Sequence, residues 1–411
     1  MIIGRRDLRG SLSIPPSKSI THRAFILSCI AGGSVKNPLL SEDTRATLDV
    51  LSQMGAEYHW DGNTLVVDKV ISHGSGSADC RNSGTTLRLL SAVASLFPQL
   101  SDLGGDDSLN SRPIAGLADA LIELGAEVKS SDGTPPILIR GPLPDGYLEC
   151  RISGNVSSQY ISGLLIALSS RDGSSRIFVY DGMVSKPYVD LTTEMLRNSG
   201  ATIEELDDGY YIFSSPLAPQ HFLVPADFSS LAFFAVAGAF GNELEIGVLD
   251  TSYTQADSRI LEILESFGAS IEYRGEKVKV SGDSLVGQKV DLSSSPDLFP
   301  IVAVLAAASK GKSILYGAHH LRYKETDRIR AVVDMLSGMS VDVTERDDGC
   351  EIQGTGKIKG GSTIITHGDH RIAMAGAICG TISELPVQID NPECVEVSFP
   401  GFFDVLESIS K

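Results

Sequence analysis

Ser17-Lys18-Ser19-Ile20-Thr21-His22-Arg23 runs straight into AFILSCIAGG, so a knot of ligand-grade polar side chains opens a short apolar helix. The first backbone N–H groups of such a helix lack an intrahelical acceptor, and with the helix dipole they suit a phosphate or carboxylate. Alone, the stretch is equally an ordinary capped helix with a solvated lysine and arginine. What decides the fold is that the arrangement returns. A polar cluster, an apolar run, a glycine-bearing turn and a strand recur from Gly84 (TTLRLLSAVASL), Ser157 (SQYISGLLIALSS), Ser229 (SLAFFAVAGAF), Asp297 (LFPIVAVLAAAS) and His370 (RIAMAGAICG). Counted from Lys18, the steps are 66, 73, 72, 68 and 73 residues, so six copies fill the 411-residue chain.

A second element repeats in phase: an amphipathic helix closing on Gly-Ala, then a strand, a tight turn and a strand. It reads LDVLSQMGAEYHWDGNTLVV, LADALIELGAEVKSSDGTPPILI, LTTEMLRNSGATIEELDDGYYIF and LEILESFGASIEYRGEKVKV, and in VVDMLSGMSVDVTERDDGCEI Ser340-Val341 fills the Gly-Ala slot. The glycines at 55, 125, 200 and 268 fall where a helix end needs positive φ, and Asp61-Gly62 is a hairpin signal. Only the sixth copy lacks the hairpin. Each unit is therefore βαβαββ-like, and one such unit does not bury its apolar face alone.

The chain is longer than one hydrophobic core usually supports, which predicts two α/β (α+β) domains of three repeats each. Pro15-Pro16 and the stretch around Val224-Pro225 read as stiff junctions, placing one domain at 13–226 and the other at 1–12 with 227–411, joined by a two-strand hinge. A net charge of -18 and a pI near 4.8 argue against nucleic acid or an anionic membrane as partner. Six cysteines show no metal spacing, MIIGRRDLRG has no apolar signal core, and no apolar run is long enough to span a bilayer; a cytoplasmic protein is expected.

The remaining motifs carry chemistry. Asn82-Ser83-Gly84-Thr85 enters the second apolar helix with a glycine that lets a ligand approach the backbone, although a plain cap explains it too. Arg112 is displayed ahead of Pro113, Ser157-Ser158-Gln159 offers more hydrogen-bonding side chains than capping needs, and Ser185-Lys186-Pro187-Tyr188 reads as a rigid polar-rimmed turn. Asp227 and Asp297 each read as helix caps. In His320-Leu321-Arg322-Tyr323-Lys324-Glu325-Thr326-Asp327-Arg328, the i, i+4 spacing puts Lys324 and Arg328 on one helix face beside Glu325 and Asp327, as in a solvated ion-paired helix. Asp369-His370-Arg371 gathers three ionisable residues at a helix start, a pattern of acid–base or anion sites. All six copies place these groups at the same end of the repeated helix, which outweighs the bland reading of any one.

These stretches, PPSKSITHRA, NSGTTLR, SRPI, SSQYISGLL, SKPYVDLT, ADFSSLAFF, SPDLFP, LRYKETDRI and GDHRIAMA, make the chain resemble the 5-enolpyruvylshikimate-3-phosphate synthase family from end to end. The resemblance implies two inside-out α/β barrel domains of three βαβαββ repeats. It implies transfer of the enolpyruvyl group of phosphoenolpyruvate to the 5-hydroxyl of shikimate 3-phosphate, in the shikimate pathway of aromatic amino acid biosynthesis. Neither metal nor organic cofactor is implied, and a monomer is expected. Shikimate 3-phosphate would be held by Lys18, Ser19, Arg23, Ser157, Ser158, Gln159, Ser185, Tyr188, Asp297 and Lys324. Phosphoenolpyruvate would be held by Lys18, Asn82, Gly84, Thr85, Arg112, Gln159, Arg328, His370 and Arg371. Asp297 is the implied base for the 5-hydroxyl, with Lys324 or Glu325 protonating the methylene carbon.

Two positions depart from the family pattern: Val397 stands in a slot that carries a lysine touching phosphoenolpyruvate, and His320 in one that often holds asparagine. The first implies weakened phosphoenolpyruvate affinity. The rival reading is the sister transferase acting on UDP-N-acetylglucosamine, which uses a loop cysteine that residues 104–116 lack. A non-catalytic binding subunit of the same fold is the third reading, motivated by Val397 alone.

Overall fold

A computed structural model describes residues 1–241, 243–247 and 252–410. The chain divides into two compact units, one of Met1–Pro15 with Pro225–Lys411 and one of Pro16–Val224. β1 (Ile2–Ile3) and β2 (Arg9–Ser13) open the first of these. The continuous unit then begins with α1 (Lys18–Ala31), β3 (Gly33–Lys36), α2 (Glu42–Gln53), β4 (Glu57–Asp61) and β5 (Thr64–Lys69). Its second round is β6 (Gly76–Asp79), α3 (Gly84–Ala94), β7 (Ser101–Gly104), α4 (Asp107–Asn110), α5 (Ala115–Glu123), β8 (Glu127–Ser131) and β9 (Thr134–Arg140). Its third is β10 (Leu148–Gly154), α6 (Ser158–Ser169), β11 (Ser175–Met183), α7 (Lys186–Asn198), β12 (Thr202–Leu206) and β13 (Gly209–Phe213), followed by β14 (Gln220–Leu223).

The discontinuous unit resumes with α8 (Phe228–Gly238), β15 (Glu243–Gly247), α9 (Ile260–Ser266), β16 (Ser270–Arg274) and β17 (Lys277–Ser281). Next come β18 (Lys289–Asp291), α10 (Phe299–Ala308), β19 (Lys310–Tyr316), α11 (Arg328–Gly338), β20 (Asp342–Arg346) and β21 (Gly349–Thr355). β22 (Thr363–Ile364), α12 (His370–Ile382), β23 (Val387–Ile389) and α13 (Phe402–Ser408) complete it.

Five sheets are four-stranded and share one pattern, a parallel pair extended by an antiparallel hairpin, as in β6-β7-β9-β8, and in three of them (β6/β7, β10/β11 and β18/β19) a buried helix bridges the parallel pair. A parallel pair needs a crossover, and the apolar helix supplies it. The sixth sheet, β1-β23-β22, has three strands, with β1 antiparallel to β23 where the other copies place a hairpin strand. Two strands join sheets remote in sequence: β14 pairs with β3, and β2 with β15.

All ten residues of α10 are buried, and most of α8 and α12 with them. A helix apolar all round is stable only inside a core. Helices therefore fill each unit and sheets cover it, which is the inside-out order; among the described residues the sheets stay separate and open, so strands do not close a barrel. In the slot where the other copies carry glycine, Ser340 itself adopts φ 63, a left-handed conformation that costs an L-residue about 1 kcal/mol.

Candidate active site

In the continuous unit the predicted residues gather at the starts of α1, α3, α6 and α7. Ser17 precedes α1 in extended conformation and its side chain makes no cap, which leaves the first-turn amides to another acceptor. Arg23 is 2% exposed. Its guanidinium donates to the Thr192 hydroxyl at 2.7 Å, the Ser19 carbonyl at 2.9 Å and the Tyr188 carbonyl at 3.1 Å. Among the described residues no carboxylate pairs with it. Burial pushes its pKa down to about 10, with Tyr188 opposing the shift. Ser185, which precedes α7, is buried in a left-handed conformation at φ 54. Such strain at a polar residue is a feature of ligand sites.

Arg112 is also buried and also without a carboxylate partner among the described residues; it donates to the Asn82 carbonyl and side-chain oxygens and to the Ser108 hydroxyl. Gln159 ties α6 to α3, accepting from Arg88 and donating to the Thr85 hydroxyl, each at 2.8 Å. Gly84 lies between two guanidinium tips. The Ser157 hydroxyl is spent on capping, accepting from the Gln159 amide at 3.3 Å, while Ser158 is buried behind it. Lys18, 15% exposed at its side chain, is paired with Asp43 at 2.8 Å.

In the discontinuous unit the predicted groups form one ionic cluster. Arg328, 1% exposed, donates to Asp369 at 2.8 Å, Asp297 at 3.0 Å and Glu325 at 2.6 Å. Arg371 takes the second Asp297 oxygen at 2.9 Å. Asp369 caps α12 by accepting from the Arg371 amide, so the same carboxylate fixes the helix start and Arg328. His370 is buried at the first position of α12. Burial alone would raise the Asp297 carboxyl, but Arg371, Lys324 and Arg328 hold it well below the usual carboxylate range. Burial would lower Arg328, and Asp369, Glu325 and Asp297 more than reverse that. His320 is buried, and burial with Lys324 pushes its pKa down to about 3, so it is a neutral imidazole. Val397 ends the short turn Pro392–Val397, half-buried, and brings no charge.

Two expectations are corrected here. Asp297 does not cap α10; that helix starts at Phe299 without a side-chain cap, because the carboxylate is drawn to Arg328 and Arg371. Lys324 and Arg328 do not share a helix face, since Asp327 caps α11 and leaves Lys324 extended before it. Asp227 is the cap expected, accepting from the Ser230 amide at 3.1 Å. Asp43, Thr192 and Asp257 were not singled out by any sequence signal. Asp257 is 2% exposed and accepts from the Ser229 hydroxyl. Burial first, then Asp297, push its carboxyl up to about 7.

The two units thus differ in kind. One offers two buried guanidiniums, Arg23 and Arg112, with no carboxylate partner among the described residues, suited to phosphate; the other offers cations held among carboxylates, suited to an anion and to proton movement. The family model for EPSP synthase (3-phosphoshikimate 1-carboxyvinyltransferase) matches residues 2–406. A 3-phosphoshikimate 1-carboxyvinyltransferase of Methanocorpusculum labreanum is 40% identical over 416 residues, spanning 100% of this chain and 98% of its own. One from Archaeoglobus fulgidus is 38% identical with the same coverage. The solved EPSP synthase of Acinetobacter baumannii superimposes with TM-score 0.79 at 28% identity, covering 100% of this chain and 97% of that one. The enolpyruvyl transferase NikO from Streptomyces tendae shares the fold at TM-score 0.78 and 16% identity. Matched along nearly its whole length, the chain belongs to the EPSP synthase family.

Proposed function

We propose that the chain transfers the enolpyruvyl group of phosphoenolpyruvate to the 5-hydroxyl of shikimate 3-phosphate and releases phosphate. The observation that carries this is the pair Arg23 and Arg112, buried with no carboxylate partner among the described residues, in a chain of net charge -18. A desolvated guanidinium is costly unless an anion completes it. In this reading Arg23, with Lys18, Ser19, Ser157, Ser158, Gln159, Ser185 and Tyr188, holds shikimate 3-phosphate. Arg112, Arg328, Arg371 and His370, with Lys18, Asn82, Gly84, Thr85 and Gln159, hold phosphoenolpyruvate. Asp297 and Lys324 complete the shikimate side.

The steps balance without another reactant. A proton from Lys324 or Glu325 reaches the methylene carbon, and the 5-oxygen attacks the neighbouring carbon while Asp297 takes the hydroxyl proton. Loss of a methyl proton then re-forms the double bond as the carbon–oxygen bond to phosphate breaks. Asp297 is ionised and so ready to accept, but Arg371, Lys324 and Arg328 weaken it as a base. An anionic substrate engaging those arginines would return basicity to Asp297 at the moment it is needed.

The test is phosphate release from phosphoenolpyruvate with and without shikimate 3-phosphate, with UDP-N-acetylglucosamine in parallel. Release that depends on shikimate 3-phosphate is expected. Release only with the nucleotide sugar would move the chain to the sister reaction, and none with either would leave a binding protein. The weaker phosphoenolpyruvate grip at Val397 belongs to this reading: Val397→Lys should lower that Michaelis constant, and an unaltered value would remove the claim. The same reading makes the enzyme a cytoplasmic monomer, which light scattering and cell fractionation check. Among the described residues no helix is long and apolar enough to cross a membrane.

A further inference from the structure

We propose that α2, which carries none of the predicted substrate contacts, positions two helix starts that do, through a buried ladder formed by Asp43, Thr47, His22 and Thr86. Lys18 and His22 lie one turn apart on α1, and Asp43 and Thr47 one turn apart on α2, so each pair presents two groups along one face. Lys18 reaches Asp43 at 2.8 Å and His22 Nδ1 meets the Thr47 hydroxyl at 2.7 Å, giving two rungs between the helices. A third rung runs from Thr47 to the Thr86 hydroxyl on α3 at 2.6 Å. Thr86 passes on to the hydroxyl of Ser83, which caps α3, at 2.7 Å, and leans towards the Asp43 carbonyl at 3.3 Å. His22, Thr47, Thr86 and Ser83 are all 0% exposed.

The hydrogens can be followed. Thr86 has one hydroxyl proton, given towards Ser83, so Thr47 donates to Thr86 and the ring donates from Nδ1 to Thr47. His22 is then the neutral Nδ1–H tautomer, and its buried Nε2, without a hydrogen-bond partner among the described residues, is a bare acceptor. Burial, then Lys18 and Arg23, hold this imidazole well below its ordinary pKa. A proton added there would leave a donor buried beside two cations. The ladder therefore keeps one hydrogen-bond direction across the working pH range.

Its two ends are what give it a role. One is the Lys18 ammonium at the start of α1, and the other is the Ser83 cap, next to Gly84 and Thr85 at the start of α3. Loss of the Thr47 hydroxyl breaks the rung to Thr86 and lets α3 shift on α2, while the Lys18–Asp43 rung stays. Since Gly84 and Thr85 are assigned to phosphoenolpyruvate alone, that substrate should feel the shift. This rests on the substrate assignment above.

Thr47→Val removes the hydroxyl at nearly constant volume. It should raise the Michaelis constant for phosphoenolpyruvate about tenfold, with kcat and the constant for shikimate 3-phosphate within about twofold. Thr47→Ser should restore the wild-type value. An unchanged constant in Thr47→Val, a Ser variant as impaired as the Val variant, or a loss confined to kcat would overturn the proposal. Should Thr47→Val fail to fold, Thr86→Val against Thr86→Ser makes the same comparison. Wild-type protein run alongside separates the two claims: no turnover there overturns the assigned reaction alone. The ladder is then read by titration with inorganic phosphate, whose Kd must rise in Thr47→Val and return in Thr47→Ser, and an unchanged Kd overturns it.

Discussion

A β-carbon added at Gly84 would sit 3.2 Å from Nη1 of Arg112 and 3.2 Å from Nη1 of Arg88. Both neighbours are tips of flexible side chains, so the fold can absorb the methyl and the arginines must give way. Gly84→Ala should keep the melting temperature of the wild type while raising the Michaelis constant for phosphoenolpyruvate about tenfold, roughly the loss of one charged hydrogen bond. An unchanged constant would mean that Arg112 does not grip that substrate. Residues of this kind were legible in the sequence, because glycine and arginine inside a repeated polar cluster stand out. Asp43 was not: it meets Lys18 only because α1 and α2 pack side by side, a partnership 25 positions apart that no local pattern encodes.

At the scale of elements, the apolar helices were legible for a simple reason. Runs such as Phe299–Ala308 have no polar face and can only be buried. Starts of elements were less legible, since Asp297 answers to Arg328 and Arg371 rather than to its own helix. The turn Ala256–Arg259 delivers a second carboxylate, Asp257, into the same surroundings. Burial, Asp297 and Asp227 raise its pKa, while Arg371 and the Ser229 hydroxyl oppose them, and the result is about 7 against an ordinary 3.8. Between those values the folded protein holds a proton that the unfolded chain has lost, so stability falls as pH rises through the window and levels off above about 7. Asp297 acts with opposite sign, but only below its ordinary value, so it does not mask this. Asp257→Asn should therefore lose less stability than wild type between pH 4 and 7, by ~2–4 kcal/mol. Melting curves of the two proteins that stay parallel across that range would show that Asp257 does not hold the proton.

For the whole molecule, the period near 70 residues revealed six repeats but not which strands complete them. The stretch 16–224 carries its own three sheets, with β14 supplying the strand beside β3. The other unit draws on the start of the chain: β2 lies beside β15, β1 beside β23, and Ile3, Leu8, Leu12 and Ile14 are buried in its core. Removing residues 1–15 would expose those four side chains' sites and leave two sheets short of a strand. At about 1.5–3 kcal/mol for each buried aliphatic side chain, the loss is roughly 6–12 kcal/mol as an upper bound. That is comparable to the whole stability of an ordinary domain, about 5–15 kcal/mol. Residues 16–224 expressed alone should therefore unfold cooperatively and give dispersed amide spectra. Residues 225–411 should do neither until residues 1–15 are restored, either as a peptide or fused through a linker. If 225–411 folds unaided, the two leading strands are ornament to a core that closes without them; if only the restored form folds, the chain's first residues are structural members of its fourth and sixth repeats.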